Sequence, residues 1–348
     1  TAYEISACLV GSEMCIRDRY PTSEGSPYEP FDPTSEITWG QLQVLSDLLG
    51  EPNAASWAIV ATERCLQPHL PPPDVLKTKT RTLRKGDEVD LEALGETLAQ
   101  LGYERVTTIE QEGSWSRRGD IVDIFPVSSE LPVRLEFFGE ELDKLREFDP
   151  ASQRSLDPVD ALRLTPTGFG PLIADQLRET MPDGLEPLLG AEGTEQLLNG
   201  GTPEGMRRLM GLAWGQPASL LDYLPDTTTV VIDERRQGLA HGQQWLSHVE
   251  EHHHDMAAEA GLDEGDRDRL WPAVLHREIE AAYALTEVFH GFDMAELLEV
   301  DQHPNSFDLA SRPVAAYPNQ FGKLGELIKG FQTERTAVWL VSAQPRRA

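Results

Sequence analysis

The sequence is poor in the residues that build metal sites, disulfide frameworks, membrane spans and nucleic-acid grips. It has three cysteines, Cys8, Cys15 and Cys65, and no CxxC pair. A structural zinc site or a disulfide scaffold needs more cysteines at closer spacing, so reduced thiols in a cytoplasmic protein are expected. The longest apolar runs, such as Trp57 to Ala61, fall far short of the roughly 20 residues that cross a bilayer. The early residues also lack the basic-then-apolar order of a signal peptide, because Arg17 and Arg19 follow the apolar part. Basic residues are scarce: 30 Lys and Arg stand against 59 Asp and Glu, a formal charge of −29. Grip on a phosphate backbone comes from clustered Lys and Arg that release counterions, and no such cluster exists here. Contact with DNA is therefore expected only through something outside the chain. The phosphate-cradling loop GxxxxGK[ST] is missing too. QFGKLG around Lys323 lacks the first glycine at the right offset and the hydroxyl after the lysine. Without that loop the main determinant for ATP is gone, and no cofactor is expected.

What remains is an ordinary globular composition with punctuated elements. Residues 1–19 show neither helical nor strand periodicity, and SACLVGSEMCIRDR resembles translated adapter sequence, so they are expected to stand outside the fold. Both ends are expected to be cut. Thr34 and Ser35 can cap a helix with Leu42, Leu45 and Leu48 at helical spacing. SWAIVATERCL reads as a buried strand, and the proline-rich stretch Pro68 to Asp74 reads as a domain boundary. Asp90 caps a second helix with Leu91, Leu94, Leu98 and Leu101 on one face, and Gly102 stops it. Arg118 to Phe125 is expected as one strand and Val133 to Phe138 as the next. A type II′ turn at Gly139-Glu140 then leads into a third, Glu141 to Phe148. One helix and an antiparallel meander make a small α+β domain over about residues 77–166. Further helices are expected at 173–190, 203–213, 237–260 and 273–290, with a buried strand within Leu220 to Glu234 and a linker near 301–312.

The stretch RRGDIVDIFP, Arg117 to Pro126, sets two arginines at the mouth of a strand in an acidic chain. In Val133 to Phe138 the side chains alternate, so Val133, Leu135 and Phe137 can pack on the Leu91–Leu101 helix while Arg134, Glu136 and Phe138 face outward. An outward aromatic beside an arginine is the composition of an interface anchor, and Arg118 on the neighbouring strand extends the patch. The alternative is that Phe138 is covered and both arginines pair with local acids. Residues 77–166 hold 13 Lys and Arg against 19 Asp and Glu, a net of −6, so basic groups there act as local contacts.

Two further signals have structural readings. Asp233 and Glu234 end an apolar strand as magnesium-facing acids do; with no phosphate loop they are expected to be a relic pair. In SHVEEHHHD, His248 and His252 share a helix face with His241, but no further ligand is evident. A solvated face is therefore expected rather than zinc.

The run from Gly113 to Leu156, GSWSRRGDIVDIFPVSSELPVRLEFFGEELDKLREFDPASQRSL, closely resembles the second domain of bacterial transcription-repair coupling factors, the Mfd family. A shorter core of it resembles the helicase UvrB, while FDPASQRS, PYEPFDPTSEITWGQLQVL and YLPDTTTVVIDE favour the coupling factors. The resemblance spans about residues 20–348. It implies an α/β fold: a degenerate P-loop, helicase-like domain of the UvrB domain 1 type (residues 20–76 and 167–311), interrupted by the small α+β domain (77–166). The start of a following domain would come at 312–348. It implies a docking module that recruits UvrA to a stalled RNA polymerase, with Arg118, Arg134 and Phe138 matching the family's UvrA-contacting positions. ATP, magnesium, DNA and polymerase would belong to other parts of the longer protein, in the bacterial cytoplasm with no membrane partner. The competing expectation is a fragment of a UvrB-type ATP-dependent helicase.

Overall fold

The computed structural model describes residues 15–23, 25–29, 35–50, 57–127, 129–180, 185–259, 261–296, 305–306 and 321–333. In chain order the strands are β1 (Cys15–Arg19), β2 (Trp57–Val60), β3 (Arg81–Arg84), β4 (Glu104–Arg105), β5 (Ser114–Arg118) and β6 (Ile121–Phe125). They continue as β7 (Val133–Phe138), β8 (Glu141–Phe148), β9 (Ser155–Pro158), β10 (Ala161–Leu164), β11 (Thr229–Asp233) and β12 (His290–Met294). The mixture of helices with parallel and antiparallel strands is the expected α/β class.

Two separate hydrophobic cores organise the described residues. The larger collects Leu42 and Leu45 of the helix Ser35–Leu49, Ile173 and Leu177 of Gly170–Thr180, and Trp245 and Val249 of the long helix Arg235–Glu259. The smaller lies between Leu83 and Leu164. It packs Leu94 and Leu98 of the helix Leu91–Gln100 against Trp115, Val122, Val133, Leu135 and Phe137. That helix starts where its sequence says it should: the Asp90 carboxylate accepts the backbone N–H groups of Glu92 and Ala93. It stops at Gly102, whose φ of 89° suits a residue without Cβ. Pro68 to Asp74 is built into the larger core rather than lying between the two. Leu70 exchanges backbone bonds with Ala218 at 2.8 and 2.9 Å, Pro73 opens a short helix, and Leu76 is fully buried.

The smaller core backs a six-stranded sheet in the order β4-β5-β6-β7-β8-β9, parallel between β4 and β5 and antiparallel elsewhere. The two-residue connection Gly139-Glu140 has positive φ only at Gly139, as a type II′ turn demands. A second such connection corrects the reading of Arg118 to Phe125 as one strand. Arg118 pairs with Ile121, and Gly119, at φ 65°, turns the chain between β5 and β6.

Elsewhere the elements differ from expectation in several places; the helix expected at 173–190 ends at Thr180, and 203–213 holds only a 3₁₀ turn and the short helix Met210–Ala213. Cys15–Arg19, set aside with residues 1–19, forms β1 and pairs in parallel with β2; backbone ladders form without side-chain periodicity, so the pattern gave no signal. SWAIVATERCL is strand only at Trp57–Val60, half-buried, and Glu63–Leu66 is a 3₁₀ turn. The strand before Glu234 is short and not buried, with Val231 half exposed, and its parallel partner β12 begins at His290, where the helix expected over 273–290 was to end. That stretch is not one helix: Pro272 opens the short helix Pro272–Leu275, and an extended His276 separates it from Ile279–Ala284. Thr34 and most of the 301–312 linker lie outside the described residues.

Candidate functional site

One face of the six-stranded sheet is sealed by the helix Leu91–Gln100; the other carries the residues of interest. The two adjacent arginines of RRGDIVDIFP divide between them, because neighbours on a strand point to opposite sides. Arg117 reaches back to the helix and pairs with Glu92 at 2.6 Å. Arg118 goes to the opposite face.

Strand register places Arg118 of β5, Ile121 and Asp123 of β6, and Arg134, Glu136 and Phe138 of β7 on that second face. Asp123 is at its centre. Its carboxylate is only 1% exposed and accepts three charge-assisted hydrogen bonds. Arg134 donates side-on, Nε to Oδ1 at 2.7 Å and Nη2 to Oδ2 at 2.9 Å, and Arg118 Nη2 donates to Oδ2 at 2.9 Å. The same bonds hold the Arg134 guanidinium above its ordinary pKa.

The face has three zones along the strands. At one end Ile109, Phe125 and Phe148 form a small buried cluster, and the Arg134 guanidinium lies 4.8 Å from the centre of the Phe148 ring. Beside it the loop after β8 is fastened tightly. Gln153, at φ 59°, donates through Nε2 to the carbonyls of Ile109 and Pro150 and receives a long contact from Arg134. Asp149 accepts from Ala151 N–H and the Ser152 hydroxyl, which lower its pKa. The middle zone is the Arg118–Asp123–Arg134 triad. At the far end the Phe138 ring is 83% exposed and Ile121 37% exposed, with nothing polar capping either.

The three residues singled out from the sequence thus share a face but not a state. Phe138 is open to solvent, as expected. Arg118 is 59% exposed and keeps Nε and Nη1 without a hydrogen-bond acceptor among the described residues. Arg134 lies on the same face, but its side chain is 16% exposed and bound to Asp123. The pairing with local acids that was the alternative for both arginines is thus present at both, through two nitrogens of Arg134 and one of Arg118. Asp123 and Ile121 were missed because Gly119-Asp120 was read into a strand. That dipeptide between the runs SWSRR and IVDIF was itself the hairpin signal.

The other signals resolve locally. Glu234, at φ 48°, takes the Glu296 N–H on one oxygen and the Gln237 amide on the other, at the start of the long helix. Asp233 ends β11 beside it, exposed. The face shared by His241, His248 and His252 is exposed at the first two and half-buried at the third, as expected of a solvated face. His253 is buried against Trp271 and Tyr28, His252 meets the Ser26 hydroxyl at 2.8 Å, and His241 pairs with Glu63. Among the described residues no group of three or more His, Cys, Asp or Glu is placed to hold a metal, and no helix is long and apolar enough to cross a membrane.

Comparison with known proteins adds a family context to this geometry. Residues 82–168 match the UvrB interaction domain, and residues 313–348 match the Rossmann-like domain of cyanobacterial Mfd. The chain is 31% identical over 216 residues to the transcription-repair-coupling factor of Escherichia coli strain K12, covering 60% of this chain and 18% of that protein. It is 30% identical over 237 residues to that of Haemophilus influenzae, 66% and 20% of the two chains. Against that of Bacillus subtilis it is 29% identical over 233 residues, 62% and 20%. The chain spans about a fifth of the length of these relatives.

Proposed function

We propose that this chain, a relative of the transcription-repair-coupling factors carrying a UvrB interaction domain at residues 82–168, is a docking module that recruits UvrA and does no chemistry itself. The observation that carries the reading is the bare Phe138 ring beside Ile121, with the half-free Arg118 on the same face of that domain. An aromatic anchor flanked by a guanidinium with unused donors suits a partner pocket edged by a carboxylate. In the longer relatives the link to stalled polymerase, and any ATP-driven movement on DNA, would come from parts beyond the matched fifth.

The larger core is read as a degenerate nucleotide-binding domain, supported by the parallel pair β11 and β12 leading into a helix at Asp233-Glu234. Glu234 spends both carboxylate oxygens on local donors, which suits a structural relic. The domain limits at about 77 and 166 are supported by the change of core between Leu76 and Leu83 and again between Leu164 and Phe169. The test is capture of purified UvrA by the chain. Binding that survives Phe138→Ala and Arg118→Ala together removes the proposal.

A further inference from the structure

We propose that Asp123 is the positioning residue of this docking surface: its buried carboxylate fixes both arginines, leaving Arg118 and Phe138 as the direct contacts while Arg134 acts only through Asp123. The inference rests on the docking reading and divides its labour.

The geometry separates the two arginines. Arg134 and Phe138 stand four residues apart on β7, which is about 13 Å along an extended strand, too far to line one pocket. Arg134 is also sandwiched, with Asp123 along its edge, Phe148 under its plane and Gln153 at its tip. Little of it is left for a partner. Arg118 is the reverse case, since one nitrogen is pinned by Asp123 Oδ2 and the other two have no acceptor among the described residues. A flexible arginine on a hairpin rim would have to be ordered by the partner at the cost of its rotamer entropy. Pinned by Asp123, it is ordered beforehand. Two guanidinium groups against one carboxylate leave the triad a single net positive charge. Glu136 on the same face is paired with Lys144, so the surface around Arg118 and Phe138 fits a partner offering one carboxylate beside an apolar pocket, rather than an acidic cluster.

Binding kinetics can separate positioning from plain structural support. If Asp123 only helps the chain fold, Asp123→Asn lowers the competent fraction: the apparent association rate falls and the dissociation rate is untouched. If Asp123 positions Arg118, the complex itself is weakened. The measurement uses the full chain immobilised, purified UvrA in solution, and two ionic strengths. The expected result is dissociation about tenfold faster or more for Asp123→Asn, the scale of a lost anchor contact. Association should be unchanged or faster at low salt, because a carboxylate has been neutralised. Arg134→Lys keeps the charge but cannot span both oxygens, and carries the same expectation should Asp123→Asn not fold. Unchanged dissociation in these variants, while Arg118→Ala and Phe138→Ala speed it, overturns the inference and leaves the docking reading standing. Unchanged dissociation in all four ends both.

Discussion

Arg134 meets Asp123 side-on, at 2.7 and 2.9 Å, where the carboxylate is almost wholly out of solvent. Arg118 shares one of the same oxygens from the other side. A buried carboxylate is tolerated when both its oxygens are answered by charged donors, and here three bonds do so. The arrangement makes a polar floor on a sheet whose neighbouring Phe138 is 83% exposed.

Phe138 is therefore expected to be dispensable for folding and costly for binding. Phe138→Ala should leave the urea midpoint unchanged, since the ring is 83% exposed. It should weaken UvrA capture by about 2 kcal/mol or more, as truncation of an aromatic anchor does. Paired denaturation and binding titrations check both halves; a large stability loss would show that the ring is packed after all.

Asp123 should behave in the opposite sense. Removing it by Asp123→Ala strands the Arg134 guanidinium against Phe148 and is expected to destabilise the small domain by about 3–5 kcal/mol. Arg118→Ala should stay within about 1 kcal/mol, because exposed ion pairs contribute little. Equilibrium unfolding followed by Trp115, buried in that core, reads both. Equal effects for the two would contradict the division between floor and rim.

Gly119 sits at φ 65° with open space where a Cβ would go. Gly119→Ala meets no clash, so its cost should be backbone strain alone, about 1 kcal/mol. Since the turn sets the β5–β6 register, a larger loss together with weakened UvrA binding would mean that the hairpin slips.

Acid should weaken the larger core between pH 6.5 and about 4. Burial, and then the charge of Arg277, bring His69 down to about 4, and burial followed by Arg64 lowers His276. In that window the unfolded imidazoles, with ordinary values near 6.5, bind protons that the folded ones refuse. Stability therefore rises with pH through the window and is lost as pH falls. For His69 the effect is on the order of 3 kcal/mol at the acid end. His69→Gln should flatten the slope of unfolding free energy against pH over this range, and an unchanged slope would contradict the assignment.

Much of this was legible in the sequence where local pattern and burial agree. Leu94 and Leu98 recur at helical spacing behind an Asp90 cap, and Val133, Leu135 and Phe137 alternate with Arg134, Glu136 and Phe138; both patterns match the packing found. Illegible features depended on pairing rather than pattern. The commitment of Arg134 follows from Asp123 lying directly opposite it across β6 and β7, a pairing that alternation within a single strand does not reveal. HGFDM of β12 carries no strand signal, and it is a strand because β11 offers a parallel edge. His253 looks like one of a polar run, yet Tyr28, distant in sequence, closes over it.

The most direct measurement is a titration of purified UvrA against the intact chain and against the Arg118→Ala, Phe138→Ala double variant, with folding of both checked by circular dichroism. Saturable binding by the native chain, reduced at least about thirtyfold in a variant that folds normally, is the expected result. Equal binding by the two would show that this face of the sheet is not where the partner docks.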